Sequence, residues 1–499
     1  MKAFLTYRDH DFDLQCDLPG DAQALVQDLA LNTLFSAMAG DDDFIFDVAK
    51  VAVLSGSEDI DTILYRQGVL RDCLKNPAVA REIYGITIQA RENKRKHWMG
   101  IFTKRPAGIL YEARVMMQMF VGLLGKLRDV ARKHSGKFES DGFRTFFAMI
   151  EKELDDDYFC SIQAHLKELK FGNGVLISAE LGRGNEGTNY VLRKPQDKGT
   201  NWLARIFARN QRGYVFHIAE RDEAGAMALE ELRDRGIALV ADAVAQAADH
   251  IDSFFNMLRT ELAFYIGCLN LSERLAQLGM PISFPVPVDS SQRRYSCQGL
   301  YDVCLALNNK GKIVGNDVNA DNKVLVIITG ANQGGKSTFL RSVGLAQLMM
   351  ESGMFVPAEA FSANICDGVF THYKRQEDVT MKSGKLDEEL GRMSEIVEMM
   401  TSKSLVLFNE SFAATNDREG SEIARQIIKA LVEKGIKVFF VTHLYEFAHS
   451  FYEQSSDSTI FLLAERQADG GRTYRLVEGE PLQTSYGRDL YDQIFGVRG

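Results

Sequence analysis

Residues 324–337, VLVIITGANQGGKS, constrain this chain more than any other stretch. The apolar run Val324 to Ile328 leads into a glycine-rich turn, after which Leu340, Val343, Ala346 and Met350 recur at helical spacing up to Gly353. An unbroken apolar run suits a parallel strand covered on both faces. Gly330, Gly335, Lys336 and Ser337 fit the G-x-x-x-x-G-K-[ST] spacing of a phosphate-binding loop. In such a loop the backbone N–H groups close around phosphate oxygens, and a Cβ would hold the anion off. The spacing therefore predicts a strand, a loop and a helix whose positive N-terminal end faces an anion. Lys336 is placed to neutralise the β and γ phosphates and Ser337 to offer its hydroxyl to Mg²⁺. The candidate nucleotide-binding residues are Gly330, Ala331, Asn332, Gln333, Gly334, Gly335, Lys336, Ser337 and Thr338, with ATP and Mg²⁺ as the implied cofactors.

A second strand should carry polar groups toward the metal and the attacking water. Residues 404–410, SLVLFNE, are an apolar run ending in Asn409 and Glu410. Glu410 is the candidate base. Asn409 stands where an aspartate usually helps hold the magnesium shell; an amide brings no negative charge, so it would act through a metal-bound water, predicting slow turnover or a higher magnesium requirement. The run KVFFVT, 437–442, predicts a third strand, and His443 just beyond it is the candidate sensor of the γ-phosphate, at the strand end where ligands gather in such sheets.

The rest of the chain divides by pattern. From about 21 to 170 apolar residues recur at three and four, as in Ile63, Leu64, Gln67, Leu70 and Leu74 before Asn76-Pro77, which predicts a packed helical domain. Within it Arg91, Lys94, Arg95, Lys96, Lys104 and Arg105 cluster around Trp98 and Phe102, a candidate nucleic-acid contact or a solvated helix face. Residues 171–218 turn glycine-rich, with GTNYVLRK and GYVFHIA suggesting short strands, and Arg183 is a further candidate contact. A helix is predicted from Ile237 to about Leu278, on the order of 60 Å long, as a strut or a bundle helix. The helical pattern ends near 280–284, and from 282 strands and helices alternate: a helix at about 419–434, a strand pair at TIFLLAER and RTYRLVEGE, and a last helix from about Gly487.

With 499 residues, 45% hydrophobic and 25% charged, the chain suits two to four folded domains rather than disorder. A net charge of −10 argues against indiscriminate nucleic-acid binding while leaving room for a local basic patch. The seven cysteines are scattered without a C-x-x-C pair, which points away from a zinc site or disulfide framework and toward a reducing cytoplasm. No signal peptide is read at the start, and no run is expected to reach the ~20 apolar residues of a membrane span.

Together the segments 328–358, 404–411 with Thr415 and Gly420, 438–447, and TSYGRDL (484–490) resemble the MutS family of DNA mismatch-repair ATPases, strongly over about 313–490 and in layout only over 21–281. The resemblance implies a P-loop ATPase domain of the ABC/MutS type (282–499), preceded by a mostly α-helical core and lever domain (1–281) with a small β insertion. It also implies a homodimer that sandwiches nucleotide between two ATPase domains, with lever helices coupling it to DNA. Lys336, Ser337, Glu410 and His443 take the phosphate, magnesium, water and sensor roles, and Asn332 also faces the nucleotide. Three departures stand out. Asn409 replaces the usual aspartate. Leu386 and Asp387 stand where relatives carry a serine and threonine reaching the partner's nucleotide, leaving Ser383 or Asn416 to substitute. The mismatch-reading and connector domains are not found, and the Phe-x-Glu at Phe451 to Glu453 falls in the ATPase segment. The expected protein is a shortened, cytoplasmic MutS-like ATPase acting on DNA; a nucleotide-gated protein clamp or scaffold is the alternative.

Overall fold

The computed structural model describes residues 1–97, 105–172, 174–194, 214–309, 313–374, 384–454, 456–467 and 471–483. Packing divides the chain into two units: Met1–Ala3, Glu82–Gly136 and Phe146–Arg259 form one, and Phe4–Arg81, Lys137–Thr145 and the chain from Thr260 onward form the other. The change of sequence pattern near 280–284 thus marks a switch in element type, while packing assigns Phe4–Arg81 to the unit that carries the phosphate loop.

The first unit is helical. Its main elements are helix Pro77–His97 from Glu82 onward, Pro106–His134, Asp156–Glu168 and the first part of a 55-residue helix, Glu223–Gln277. That helix starts fourteen residues before the expected Ile237, which makes it about 80 Å long at ~1.5 Å per residue. Leu110, Ile237 and Ala241 form a small core with Leu169, Phe171 and Leu192 around it. The β insertion is a hairpin of β1 (Leu176–Leu181) and β2 (Gly187–Arg193). Its tight turn needs Gly184, which sits at φ 74°. Among the described residues the strand expected at GYVFHIA is not seen: 214–218 pair with no described neighbour, and Tyr214, Val215 and Phe216 are largely exposed. With no partner edge, alternating apolar residues do not make a strand. Helix Pro106–His134 also corrects the reading of membrane propensity. It contains a window long and apolar enough to cross a membrane by composition, although Leu110, Ala113, Met117, Phe120, Leu124 and Leu127 are buried along one face. Glu112 and Arg114 interrupt the apolar run in sequence but lie off that face.

The second unit holds two sheets. The larger runs β12–β11–β6–β10–β9–β8, from Arg472–Glu478, Thr459–Arg466, Leu325–Gly330, Lys437–Val441, Leu405–Asn409 and Val369–Tyr373. All its neighbours are parallel except β12 against β11. The smaller runs β3–β7–β4–β5, from Val286–Val288, Ala360–Asn364, Tyr295–Leu300 and Asn316–Asn319. Only β3 was legible in advance; the others lie in short, turn-rich segments that pair through distant partners. On one face of the large sheet Leu325, Ile327, Val406, Phe408, Val438 and Phe440 pack against helices Lys385–Met399, Asp417–Glu433 and Tyr445–Glu453. On the other lies helix Lys336–Glu351, whose Gly344 admits close approach: a Cβ there would come within 2.7 Å of Leu407 and 2.9 Å of Leu29.

Helices Ala22–Asp28, Leu31–Ala39, Asp43–Leu54 and Ile60–Lys75 complete this unit. Helix Ile60–Lys75 bears out the periodicity that ended at Asn76, capped by Asp59 accepting from Thr62 N at 2.9 Å. Leu64 departs from it, at 46% exposed. The terminal part of helix Glu223–Gln277 is buried on every side, through Leu262, Ala263, Phe264, Tyr265, Ile266 and Leu269. It is tied to the irregular segment at the start of the chain, where Tyr265 Oη donates to Leu5 O at 2.6 Å and Leu5 N donates to Glu261. The helix expected from Gly487 and the TSYGRDL motif lie outside the described residues.

Phe440 is fully buried and stacks on Phe408 at 5.1 Å and against Phe447 at 4.9 Å. Phe440→Ala should cost about 3–5 kcal/mol in guanidinium unfolding followed by circular dichroism, whereas Leu64→Ala should stay within ~0.5 kcal/mol. Equal costs would contradict this account of the core.

Candidate nucleotide-binding site

The phosphate loop connects β6 to helix Lys336–Glu351 as the spacing required. Two glycines are dictated by neighbours rather than by the loop alone. A Cβ on Gly330 would meet Ala464 N at 2.8 Å and one on Gly334 would meet the Ala464 side chain at 2.7 Å, because β11 lies directly beside β6. Gly335 caps the helix at φ 90°, and Gln333 adopts φ 58°, so the turn is left-handed at two points and its N–H groups turn inward.

Lys336 is 5% exposed and donates to Gly330 O at 3.0 Å and Ala331 O at 2.9 Å. Burial pushes its pKa down to about 8; Glu410 opposes the shift and Arg472 adds to it. An ammonium held by main-chain carbonyls, with no carboxylate in contact, is stabilised further by an anion arriving above it. Ser337 Oγ donates to Asn409 Oδ1 at 2.8 Å, which brings together the two residues expected to share the metal shell.

β9 and β10 bring the remaining groups to the same edge. Glu410, the residue after β9, has φ 54° and donates its N–H to Val441 O at 2.8 Å, which turns its side chain toward His443. His443 Nε2 donates to Glu410 Oε1 at 2.8 Å. That bond, with help from Lys336 and Lys374 and against burial, holds the Glu410 carboxyl below the usual carboxylate range, so it is ionised at neutral pH. Phe412, at φ 63°, continues the tight turn. Gly420 permits it, since a Cβ there would collide with Phe412 O.

A cavity of about 440 Å³ opens over the loop. Asn332 through Thr338 and Glu410 line it together with Tyr301, Leu305, Asn309, Asn316 and Tyr474. These last five escaped sequence reasoning, as did Arg472, whose Nε donates to Asn332 O at 3.1 Å. Arg472 and Tyr474 lie on the antiparallel strand β12, and Asn316 fixes that strand by donating to Tyr474 O at 3.2 Å and accepting from Leu476 N at 2.7 Å. No spacing in the sequence links β12 to the loop.

The candidate DNA contacts lie in the other unit. Arg91, Arg95 and Lys96 are exposed on helix Pro77–His97, and Arg183 is exposed in the hairpin turn. Lys94 is paired with Asp252 at 2.7 Å, and Arg105 with Glu230 at 2.9 Å and Asp234 at 3.4 Å, so their charge is matched within the unit. Lys104, Trp98, Phe102 and Ser383 lie outside the described residues. Asn416 Oδ1 accepts from Glu419 N at 3.0 Å as a helix cap.

The depressed pKa of Lys336 carries a sign. Between pH about 8 and 10.5 the unfolded chain holds this proton and the folded chain has lost it, so the stability contributed here rises with pH over that window. Relative to Lys336→Met, the nucleotide-free protein should therefore gain on the order of 1–3 kcal/mol between pH ~7.5 and ~10, read from denaturant midpoints. A difference that stays constant with pH would contradict the buried-ammonium assignment.

Comparison with known proteins covers most of the chain. A model of the MutS2 N-terminal domain matches residues 58–278, and one of MutS domain V matches residues 326–493. The helical half thus carries more than a likeness of layout. The DNA mismatch repair protein MutS of Thermotoga sp. (strain RQ2) is 33% identical over 234 residues, 44% of this chain and 29% of that protein. MutS of Thermotoga maritima is 37% identical over 180 residues, 36% of this chain and 22% of that protein. MutS of Brevibacillus brevis is 30% identical over 230 residues, 43% of this chain and 27% of that protein. The match therefore spans less than a third of those relatives' length. With a phosphate loop, Asn409, Glu410 and His443 gathered at one sheet edge, and with two MutS-family domain models that together match more than half of its residues, the chain is a member of the MutS family.

Proposed function

We propose that the protein is a MutS-type ATPase that couples ATP binding and hydrolysis to the processing of a DNA structure, in mismatch repair or a related pathway. The observation that carries this reading is the pairing of Ser337 with Asn409 and of Glu410 with His443 beside one glycine loop. The residues fit the expected group: a loop whose glycines leave no room for side chains, a buried ammonium bonded only to carbonyls, and a serine hydroxyl facing an amide oxygen. Bound ATP with Mg²⁺ would supply an electrophilic γ-phosphorus and a cation that offsets charge on its oxygens.

The chain's own groups then have separate tasks. Lys336 holds negative charge, and the loop amides and helix end orient it. Ser337 would offer its hydroxyl to the metal, and Asn409 would hold one of the metal's waters. Glu410, ionised, orients and deprotonates water. His443 donates to Glu410 Oε1, which holds the carboxylate in place and leaves its second oxygen to take the water's proton. A neutral Asn409 favours slow turnover, which suits an ATP-held state.

In the family's manner, two such ATPase units would close on nucleotide as a homodimer, and helix Glu223–Gln277 would act as the lever toward DNA. Arg91, Arg95, Lys96 and Arg183 are the proposed phosphate contacts, and the protein would work in the cytoplasm. The neutral Asn409 also supports a second reading, a nucleotide-gated scaffold that holds a protein partner.

Glu410→Gln should bind ATP, accumulate dimer in sedimentation, and hydrolyse at least ~10²-fold more slowly; hydrolysis at the parent rate would remove Glu410 as the base. Asn409→Asp should lower the Mg²⁺ concentration needed for half-maximal ATPase, and an unchanged requirement would place Asn409 outside the metal shell. ATPase measured in parallel on plain duplex, mismatched duplex, four-way junction and single strand separates the two readings, since a scaffold should respond to none of them.

A further inference from the structure

At the sheet edge opposite the phosphate loop, a cavity of about 220 Å³ opens where β9 and β10 begin, beside the turn that precedes β4. It lies about 16 Å from the nucleotide edge, the length of the five-residue strand β10 at ~3.3 Å per residue. Its wall carries five basic side chains, Arg293, Lys323, Lys403, Lys434 and Lys437, together with four serines and no carboxylate. In a chain with 68 acidic and 58 basic residues such a wall is not a sample of the surface.

The floor is fixed. Lys437 is 9% exposed, and its Nζ donates to Arg293 O and Arg294 O at 3.2 Å and to Asn364 Oδ1 at 3.1 Å, all uncharged acceptors. Lys323 Nζ is likewise held by a carbonyl, Asp457 O, at 2.6 Å. Arg293, Lys403 and Lys434 are exposed at the rim, and none of the three forms an ion pair among the described residues. Neighbouring carboxylates are turned to other donors: Asp289 accepts from Ser291 N and Oγ, Asp321 from Tyr295 N, and Asp367 from Ser404 Oγ. Burial pushes the Lys437 pKa down to about 8, with Asp321 and Cys366 opposing the shift and Arg293 adding a smaller push in the same direction. An anion offsets the cost of holding this ammonium away from water, and cations with hydroxyls are the chemistry that recognises phosphate oxygens. The volume suits a phosphate group and falls below that of cavities holding drug-sized ligands.

We propose that this cavity is a second anion site, separate from the nucleotide loop, that takes a phosphate group, either inorganic phosphate or a backbone phosphate of nucleic acid.

The test uses the full chain, its Lys336→Ala variant, and a triple variant with Arg293→Ser, Lys403→Ser and Lys434→Ser, whose exposed positions leave the core intact. Thermal midpoints are compared in chloride and in ~10 mM inorganic phosphate at one ionic strength. Binding of a short duplex is followed by anisotropy across salt concentrations. Occupancy by free phosphate predicts a rise of roughly 3 °C in the parent and in Lys336→Ala, lost in the triple variant, which matches the parent in chloride. Occupancy by a backbone phosphate predicts that the triple variant's salt slope is shallower by about 1 than the parent's. A phosphate response retained in the triple variant, or no response anywhere, with an unchanged duplex slope overturns the proposal. Because Lys336→Ala disables the loop alone, failure here is distinguishable from failure of the ATPase reading.

Discussion

Parallel pairing of β6 between β10 and β11 is the constraint on which the rest depends. Val326 stands level with Phe439 on one side and Ile460 on the other, so all three strands end at one edge. Adding β9, whose Asn409 pairs with Val441, sets Ser337, Asn409, Glu410 and His443 within reach of one another although more than a hundred residues separate the first from the last. A slip of one residue would turn each strand's side chains to the opposite face and break both this edge and the Phe408–Phe440 stack behind it.

The same pairing explains why charge collects at both ends of the sheet. At the loop edge a lysine is buried against carbonyls and an acid is ionised by its histidine partner. At the far edge, the first residues of β10 and the turns before β4 and β9 gather cations, while the neighbouring acids are turned to other donors. Neither collection follows from the net charge of −10. Both follow from strands whose buried centres exclude charge and so concentrate it at their ends.

The 55-residue helix serves the two units in different ways. Its later part is a core element, buried all round between Leu262 and Leu271 and tied to Leu5. Its earlier part is packed on one side at Ile237 and Ala241 and leaves Met227, Leu229 and Leu239 exposed. A seam at three-and-four spacing describes the earlier part, whereas all-round apolarity describes the later one.

Sequence alone determined the phosphate loop, the strands at 404–409 and 437–442, the helix at 419–434, the pairing partners Glu410 and His443 as candidates, and the helical character of the first half. These are local signals: glycine spacing, unbroken apolar runs and helical periodicity are each written in neighbouring residues. Tertiary structure alone decided the small sheet, the absence of a strand at GYVFHIA among the described residues, the placing of Phe4–Arg81 with the loop, and the roles of Arg472, Tyr474 and Asn316 over the cavity. It also decided that Lys94 and Arg105 spend their charge on Asp252, Glu230 and Asp234. Each of these depends on which distant segment supplies the hydrogen-bonding edge or the counter-charge, and that information resides in the packing rather than in any window of the chain.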